Sequence, residues 1–406
     1  MSRGLGYLAA AQGAMALASS MFAVGLVFAG AEQSDGMGLA ITLALRTLPT
    51  MILAFVGGVF ADRWSRKHIA IVSLACVACT YVVDALLIGP YGLGWQVQAL
   101  SLLAGFASAL GAPALYALLP SIVDADDIVH GNGVVRTLRN AGSIIGPLLA
   151  AGIANWLSSA ALFLCSGAVE AAAALCLLGL RMRDERVDEH DGSEESIGSS
   201  LLAIPQVFAT YHWLAVGVVF WALFLGVQSG AADVLLPLYV VDGHGKAAWS
   251  LMTAVLSLGY ITGSIVVLRY GMKRWLLTGS VLWSLLAAVQ LVVVALWNNY
   301  VVWIIVTFLA GMGLEISGAL WGSVLQSRVD QAHMGRVSSI DYALSFGCIP
   351  FAYALYGLLV RSSMPVVMAV SAIVMAVAGV CVVPLTLAED RAVITTGNAD
   401  LSRQDA

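Results

Sequence analysis

Residues 57–68 read GGVFADRWSRKH and interrupt a chain that is otherwise strongly apolar. Within these twelve positions stand one aspartate and three fixed cations, although charged residues make up only 11% of the sequence. Hydrophobic residues make up 60% of it, and the mean hydropathy is +0.91. Soluble domains are about half apolar and a quarter charged. The composition therefore predicts an integral membrane protein, with this charged stretch at one membrane surface.

Twelve long apolar runs recur along the chain, and each is long enough to cross a hydrocarbon core of about 30 Å. The first run is too long, and too similar to those that follow, to be a cleaved signal peptide. The sequence thus predicts an all-α, multi-pass membrane protein. The predicted spans one to twelve lie at residues 5–30, 37–61, 68–89, 95–122, 134–156, 158–180, 213–240, 247–270, 275–296, 300–326, 337–361 and 364–388.

Most basic residues fall on one side of the predicted membrane. If both termini share a side, that side holds sixteen of the nineteen Lys and Arg residues. Lys246 and Arg361 lie on the other side, and Arg46 lies inside a span. Because cytoplasmic loops are rich in Lys and Arg, both termini are expected in the cytoplasm. Compact loops without Asn-x-Ser/Thr glycosylation sites favour a bacterial cytoplasmic membrane.

A charged segment at residues 181–200 divides the chain into two halves of six spans. It has no apolar periodicity and is expected to be a solvated linker. The predicted domains are an N-terminal half at 1–180, a cytoplasmic linker with an interfacial segment at 181–212, a C-terminal half at 213–388 and a cytoplasmic tail at 389–406. The tail is polar and is expected to be disordered.

The two halves share traces of one ancestral unit. The fourth span of each half ends in a Val-Asp pair, at Asp124 and at Asp330. A proline inside the next helix follows in both halves, at Pro147 and at Pro350. These pairs suggest duplication, and two six-helix halves in parallel repeat are the plan of the major facilitator transporters.

The charged stretch itself resembles a motif of that family. Gly58, Asp62, Arg63, Arg66 and Lys67 stand between spans two and three in the order and spacing of the signature loop of the major facilitator superfamily, G-x-x-x-D-R-x-x-R-R/K. Two further sequences are similar to its drug and enterobactin-type siderophore exporters: RTLP at 46–49 and APAL at 112–115. The resemblance implies a twelve-helix transporter built from two six-helix halves.

The resemblance also implies a role for the signature loop. In this family the loop lies beside the end of span eleven, where Asp62 can meet unpaired N–H groups of a helix N-terminus, for about 0.3–1 kcal/mol. Arg66 then comes within reach of Asp124. Such contacts form in one conformation only and act as a conformational latch. The alternative is that the cations only fix the topology, which is the main role expected of Arg63 and Lys67.

Gly142, Gly146 and Pro147 in span five resemble the antiporter motif of the family. Glycines four positions apart let another helix approach closely, and a proline permits a bend. Gly259 and Gly263 in span eight offer a matching face, and the resemblance implies that the two faces meet between the halves. Ordinary packing glycines are the alternative.

The candidates for functional charges inside the predicted spans are Arg46, Asp84, Glu170, Asp233 and Glu315. A charge in the bilayer is costly unless it is paired or hydrated. Arg46 and Asp84 lie at similar depth on adjacent antiparallel helices, so an intramembrane ion pair is expected. Otherwise Arg46 faces the cavity and Asp84 snorkels outward. Glu170 is expected to give structural support or to face lipid in its protonated form.

Glu315, Asp233 and Arg46 are the candidates for binding protons or substrate in a central cavity. Glu315 lies near the middle of span ten among small residues, which leaves room for a ligand or water. Asp233 lies nearer the outside and shortly before Pro237, so a gating or helix-capping role competes there with proton binding.

These features together favour a secondary active transporter, a proton-coupled exporter of a drug-like or siderophore-like small molecule that works by alternating access. An importer or facilitator of a polar nutrient is the alternative. No phosphate-binding loop, zinc-protease motif or nucleophile elbow indicates an enzyme. Cys76-x-x-Cys79 lacks the second pair that a metal site needs, so neither metal nor cofactor is expected. The expected partners are the substrate and the bilayer, not nucleic acid, and the protein is expected to be a monomer driven by the proton gradient.

Overall fold

The structure, a computed structural model, describes residues 3–60, 65–123, 128–156, 158–180, 204–271 and 274–404. These residues are almost entirely helical, and no strand occurs among them. The prediction of an all-α fold is therefore confirmed. The helices are Arg3–Glu32, Gly36–Phe60, Arg66–Tyr91, Trp95–Ala117, Leu119–Ser121 (a 3₁₀ turn), Ile128–Trp156, Ser159–Leu178, Ile204–Thr210, His212–Ser229, Gly230–Leu235 (a π-helical turn), Leu236–Tyr270, Leu276–Leu296, Tyr300–Arg328, Gln331–Phe346, Ile349–Leu359 and Met364–Gln404.

Ten helices in the described part of the chain are long and apolar enough to cross a membrane. One of them, His212–Tyr270, has 59 residues. It would extend about 89 Å at 1.5 Å per residue, whereas a hydrocarbon core is about 30 Å thick. Its backbone breaks at Gly245, where φ is 83°, so it supplies both span seven and span eight. The 29-residue helix Ile128–Trp156 forms span five and completes the twelve predicted spans.

The chain forms two compact units. The first unit holds spans one to six and, with them, Pro237–Ala254 and Ile349–Val360. The second unit holds the rest of spans seven to twelve. The units thus cut across the predicted halves, because the segment that joins spans seven and eight belongs to the first unit. The half boundaries near residues 180 and 213 stay a prediction.

Each unit repeats one set of helix contacts. In the first unit, span one packs on spans five and six, and span three packs on spans four and six. In the second, span seven packs on spans eleven and twelve, and span nine packs on spans ten and twelve. Span one therefore corresponds to span seven, and span three to span nine, in agreement with duplication of a six-helix ancestor.

The small-residue faces of spans five and eight each pack on a helix of their own unit, and their meeting between the halves stays a prediction. A Cβ atom added to Gly142 would lie 2.9 Å from the backbone nitrogen of Leu17 in span one, and one on Gly146 would lie 2.9 Å from the carbonyl oxygen of Leu17. A Cβ on Gly259 would lie 2.9 Å from the backbone nitrogen of Met312 in span ten. Small residues do permit close backbone approach here, but each partner helix belongs to the same six-span half.

The tail at residues 389–406, expected to be disordered, instead continues the helix of span twelve as far as Gln404. Asp390 is 2% exposed and accepts hydrogen bonds from the backbone N–H of Thr278 at 2.9 Å and from its hydroxyl at 2.8 Å. Arg328 forms an ion pair with the same carboxylate. Because the first N–H groups of a helix lack partners and carry the positive end of its dipole, the start of span nine holds the end of span twelve in helical form.

The first unit ties the equivalent helix ends together with the opposite charge. Lys67, at the start of span three, donates to the carbonyl oxygens of Leu180 at 2.6 Å and of Leu178 at 3.3 Å, at the end of span six. The last carbonyls of a helix lack partners within it, and a cation is favourable at the negative end of the helix dipole. Lys67 therefore joins two helices in addition to any effect on topology.

The Asp390 contact yields a test of stability. Replacement of Asp390 by Asn should leave the partly buried guanidinium of Arg328 without its counter-charge. Breaking a buried ion pair in this way costs about 3–5 kcal/mol, seen as a lower midpoint of thermal unfolding in detergent. Glu389→Gln, which removes the neighbouring charge, is the matched control. Equal midpoints for the two variants would contradict the proposed joint between spans nine and twelve.

The contact between spans eight and ten yields a second test. A Cβ on Gly311 would lie 3.1 Å from the carbonyl carbon of Leu256 and 3.3 Å from the Cα atom of Gly259. Gly311→Ala should therefore force the two backbones apart and cost about 1–3 kcal/mol, as overpacking does. Gly318→Ala is the control on the same helix, because nothing lies within 4 Å of that position. If the Gly311 variant is as stable as its control, spans eight and ten can move apart without a loss of stability.

Candidate functional site

Two aromatic rings hold the side chain of Arg46 in span two. Its guanidinium donates to the hydroxyl of Tyr81 and lies 4.9 Å from the ring centroid of Phe22 and 5.2 Å from that of Tyr81. The two rings stack, with centroids 3.9 Å apart. Aromatic faces attract cations, more strongly where water is excluded. Spans one, two and three therefore fix this cation together.

Asp84 and Glu170 are both buried, with 1% and 2% of their surface exposed, and both interact electrostatically with Arg46. Asp84 does not snorkel outward, and Glu170 does not face lipid. Arg46 donates to Tyr81 and forms no direct salt bridge with Asp84, so the coupling of that pair stays a prediction. The structure adds Glu170 as a third charged member, which the sequence had assigned a separate role.

Glu315 lies in the middle of span ten and is half-buried. It accepts a hydrogen bond from the hydroxyl of Ser264 in span eight at 2.6 Å. Gly263 makes this approach possible, because a Cβ on it would lie 2.9 Å from the Cβ atom of Glu315. Sequence reasoning missed Ser264, although it directly follows the second glycine of the small-residue face of span eight.

Asp233 lies in the π-helical turn Gly230–Leu235 that interrupts span seven. Its side chain is exposed rather than buried as a helix cap. The phenol of Tyr260 in span eight interacts electrostatically with both Asp233 and Glu315. Single π-helical turns inside α-helices are common at functional sites. The structure thus places both candidate carboxyls of the second unit around one tyrosine.

Asp341 in span eleven is a further buried carboxyl that the sequence analysis did not select. It accepts hydrogen bonds from the indole nitrogen of Trp321 at 3.1 Å and from the hydroxyl of Ser345 at 3.2 Å. The ring of Trp321 lies 6.0 Å from that of Trp213 and 6.1 Å from that of Trp221, between centroids. Spans seven, ten and eleven thus form a buried aromatic cluster with one acidic member. The indole rings of this cluster suit packing against an apolar ring.

A cavity of about 120 Å³ opens in the first unit between spans one, four and five. Liquid water occupies about 30 Å³ per molecule, so the cavity fits one small polar group rather than a whole drug or siderophore. Arg139 donates to the hydroxyl of Tyr116 across it. The lining residues are Gln12, Tyr116, Leu119, Asn132, Val135, Arg136 and Arg139. This lining is basic and suits an acidic or hydrogen-bond-accepting group.

The residues of the expected latch are only partly described. Asp62, Arg63 and Asp124 lie outside the described residues. The backbone of Gly58 is part of the helix of span two, and the exposed side chain of Arg66 begins the helix of span three. The latch therefore stays a prediction, which rests on the order and spacing of the residues in the loop.

Glu32 and Lys246 form an ion pair within the first unit that sequence reasoning also missed. The hydroxyl of Ser159 donates to the same carboxylate at 2.7 Å, and the ammonium of Lys246 lies 5.4 Å from the ring centroid of Phe28. These contacts join the end of span one and the start of span six to the segment between spans seven and eight. Lys246 is one of the few cations predicted on that side of the membrane.

The repeated six-helix units, with the signature spacing between spans two and three, agree with a family match over residues 8–349. The chain belongs to the Major Facilitator Superfamily. The match spans most of both units and confirms the resemblance noted in the sequence. The protein is accordingly a multi-pass membrane transporter, and bacterial exporters are among its relatives.

Two of these relatives are named siderophore exporters. The chain is 26% identical to the enterobactin exporter EntS of Citrobacter koseri, over 75% of this chain and 72% of that protein. It is 22% identical to the bacillibactin exporter of Bacillus subtilis, over 76% of this chain and 77% of that protein. Among solved structures, the nucleoside transporter NupG superposes with a TM-score of 0.74 at 16% identity, over 93% of this chain and 98% of NupG. That likeness supports the fold alone.

Proposed function

We propose that this transporter is a proton-driven exporter of a siderophore-like or drug-like small molecule, working by alternating access in a bacterial cytoplasmic membrane. The observation that carries the proposal is the half-buried carboxyl of Glu315 in mid-span, hydrogen-bonded by Ser264 at 2.6 Å. A carboxyl in this position can hold a proton and can also meet a bound substrate. The similarity to enterobactin and bacillibactin exporters supports the direction of transport.

Proton and substrate would compete for Glu315. While the carboxyl is ionised, it accepts from Ser264 and can attract a polar or cationic group of the substrate. Protonation removes that charge, releases the substrate outside and lowers the cost of a buried charge during the return. Tyr260 links Glu315 electrostatically to Asp233, which is exposed and gives the proton a route from water. One charge that crosses 100 mV supplies about 2.3 kcal/mol.

The contacts of Glu32 and Lys246 would close the outer end of the pathway. The positive-inside distribution places the loop between spans one and two outside, and with it the ion pair of Glu32 and Lys246. The start of span two also packs closely on the segment after span seven, since a Cβ on Gly36 would lie 2.9 Å from a methyl carbon of Leu238. Because an ion pair of this kind forms in one state only, it can bias a two-state equilibrium. The signature loop would act in the same way at the cytoplasmic end.

The latch hypothesis predicts that Asp62→Asn slows transport without loss of the folded protein. A contact between an aspartate and a helix N-terminus is worth about 0.3–2 kcal/mol, so the rate should fall about two- to thirtyfold. Ethidium, a drug-like probe, can be followed by fluorescence in proteoliposomes, with thermal unfolding as the check on folding. Asp188→Asn, in the predicted linker, is the matched control. If the Asp62 variant transports at the wild-type rate, Asp62 does not act as a latch.

The proton-coupling hypothesis predicts that Glu315→Gln abolishes gradient-driven export while slow downhill exchange remains. The amide mimics the protonated carboxyl and cannot release a proton. Accumulation of enterobactin or ethidium in inverted vesicles should fall by up to about fiftyfold, the factor that matches about 2.3 kcal/mol for one charge at 100 mV.

Glu389→Gln is the control for a carboxyl outside the membrane centre and should keep gradient-driven accumulation. Full accumulation by the Glu315 variant would move the proton site to Asp233. Uptake that runs into whole cells rather than into inverted vesicles would instead support import of a polar nutrient and contradict export.

A further inference from the structure

We propose that Arg46, Asp84 and Glu170 form a buried site in the first unit that holds one exchangeable proton, separate from Glu315. The inference begins with three polar atoms that find no hydrogen-bond partner although they are buried. They are Nη1 of Arg46, Oδ1 of Asp84 and Oε2 of Glu170. Buried polar atoms are nearly always paired, so orphans on Arg46 and on both carboxyls that interact with it require an explanation.

The charges of the cluster do not balance unless a proton is bound. One guanidinium with two ionised carboxylates carries a net charge of −1. Uncompensated charge is costly in the membrane interior, and burial favours the neutral form of a carboxyl. One protonated carboxyl, one carboxylate and one guanidinium give a neutral cluster. The proton would lie on a carboxyl oxygen of Asp84 or Glu170, with Tyr81 between the cluster's members.

No other charged group on the neighbouring helices can neutralise the net charge of −1. Span three packs on spans four and six, span two packs on span four and on Ile349–Leu359, and span six packs on spans one and five. Away from the helix ends, these helices carry no other Asp, Glu, Lys, Arg or His except in the first half of span five. There Arg139 bonds to Tyr116, which lies at the opposite end of span four from the cluster. The other titratable groups are phenols and thiols, which are neutral at pH 7.

The three charged residues lie at a common depth. Arg46 follows the start of its helix at Gly36 by ten residues, Asp84 precedes Tyr91 by seven, and Glu170 follows Ser159 by eleven. These helix ends lie on one side of the membrane, so the charges sit about 10–17 Å below that surface at 1.5 Å per residue. They are too deep for bulk water to neutralise, and both carboxyls interact with the same guanidinium.

The cation is fixed in place, whereas the proton can exchange. A Cβ on Gly105 of span four would lie 3.1 Å from the carbonyl carbon of Arg46 and 3.0 Å from Cγ of Pro49, so span four clamps the backbone of Arg46. Its side chain lies beside the stacked rings of Phe22 and Tyr81 but is only half-buried. The guanidinium therefore leaves a polar approach to the cluster, while both carboxyls remain sealed. A change of charge here must come from a proton and not from movement of the arginine.

Infrared spectroscopy of the purified full chain at pH 7 tests this site, because a protonated carboxyl has its own carbonyl-stretch band. Asp84→Asn and Glu170→Gln should each lower the band by one equivalent, since the remaining carboxylate then balances Arg46. The double variant Arg46→Gln/Asp84→Asn should restore it, because Glu170 then stands alone and takes the proton. This double variant is neutral, so it avoids an unpaired buried charge. Glu32→Gln, which removes a carboxylate already paired with Lys246, should leave the band unchanged.

Two results would overturn the proposal. If neither single variant lowers the band, both carboxyls are ionised in the native protein. If the double variant fails to regain the equivalent that Asp84→Asn loses, the carboxyls take protons without regard to Arg46. Raising the pH should remove one equivalent reversibly from the wild type but not from either single variant, which tests exchange. None of these infrared measurements depends on transport. A result against this proton site can therefore be told apart from a result against the role of Glu315 in export.

Discussion

Lipid offers no partner to a charged or polar group, and this constraint organises the whole molecule. The few charges that the chain carries at depth or at helix ends therefore find their partners within the protein. Arg46 lies against two stacked aromatic rings, Arg328 pairs with Asp390, and Lys67 donates to the end of span six. Each contact joins helices that are far apart in sequence. The scarce charges thus act as fixed points of the fold as well as elements of its chemistry.

Duplication preserved the joints between helices but not their chemistry. The start of span three and the end of span six are tied by a lysine that donates to carbonyl groups, whereas the start of span nine and the end of span twelve are tied by an aspartate that accepts from N–H groups. Both solutions satisfy helix ends that have no partners of their own. The constraint is that the unpaired groups of a helix end need partners. A negative side chain can serve the N–H groups at a helix start, and a positive side chain can serve the carbonyl groups at a helix end.

The carboxyls of the two units differ in how accessible they are. Glu315 is half-buried, bonded to one hydroxyl and close to the exposed Asp233 through Tyr260. Asp84 and Glu170 are sealed and share one fixed cation. An accessible carboxyl can respond to substrate, while a sealed cluster responds only to a proton. In the proposed cycle, the second unit would bind the substrate, and the buried cluster of the first would bind and release one proton.

The sequence by itself determined the membrane class, the twelve helices, their division into two sets of six and the family. Hydropathy and the spacing around Asp62 are local along the chain, and the bilayer thickness fixes what an apolar run must become. It also singled out Arg46, Asp84, Glu170, Asp233 and Glu315, because a charge within an apolar run stands out.

Only the tertiary structure decided which of these groups meet. It brought Glu170 to Arg46, Ser264 to Glu315, and Asp390 to the start of span nine, and it turned the glycines of spans five and eight toward helices of their own halves. No local pattern carries this information, because an apolar face looks the same in sequence whether lipid or another helix covers it. Between helices in a membrane, backbone approach and single hydrogen bonds select the partner, and these depend on residues that lie far apart in the chain.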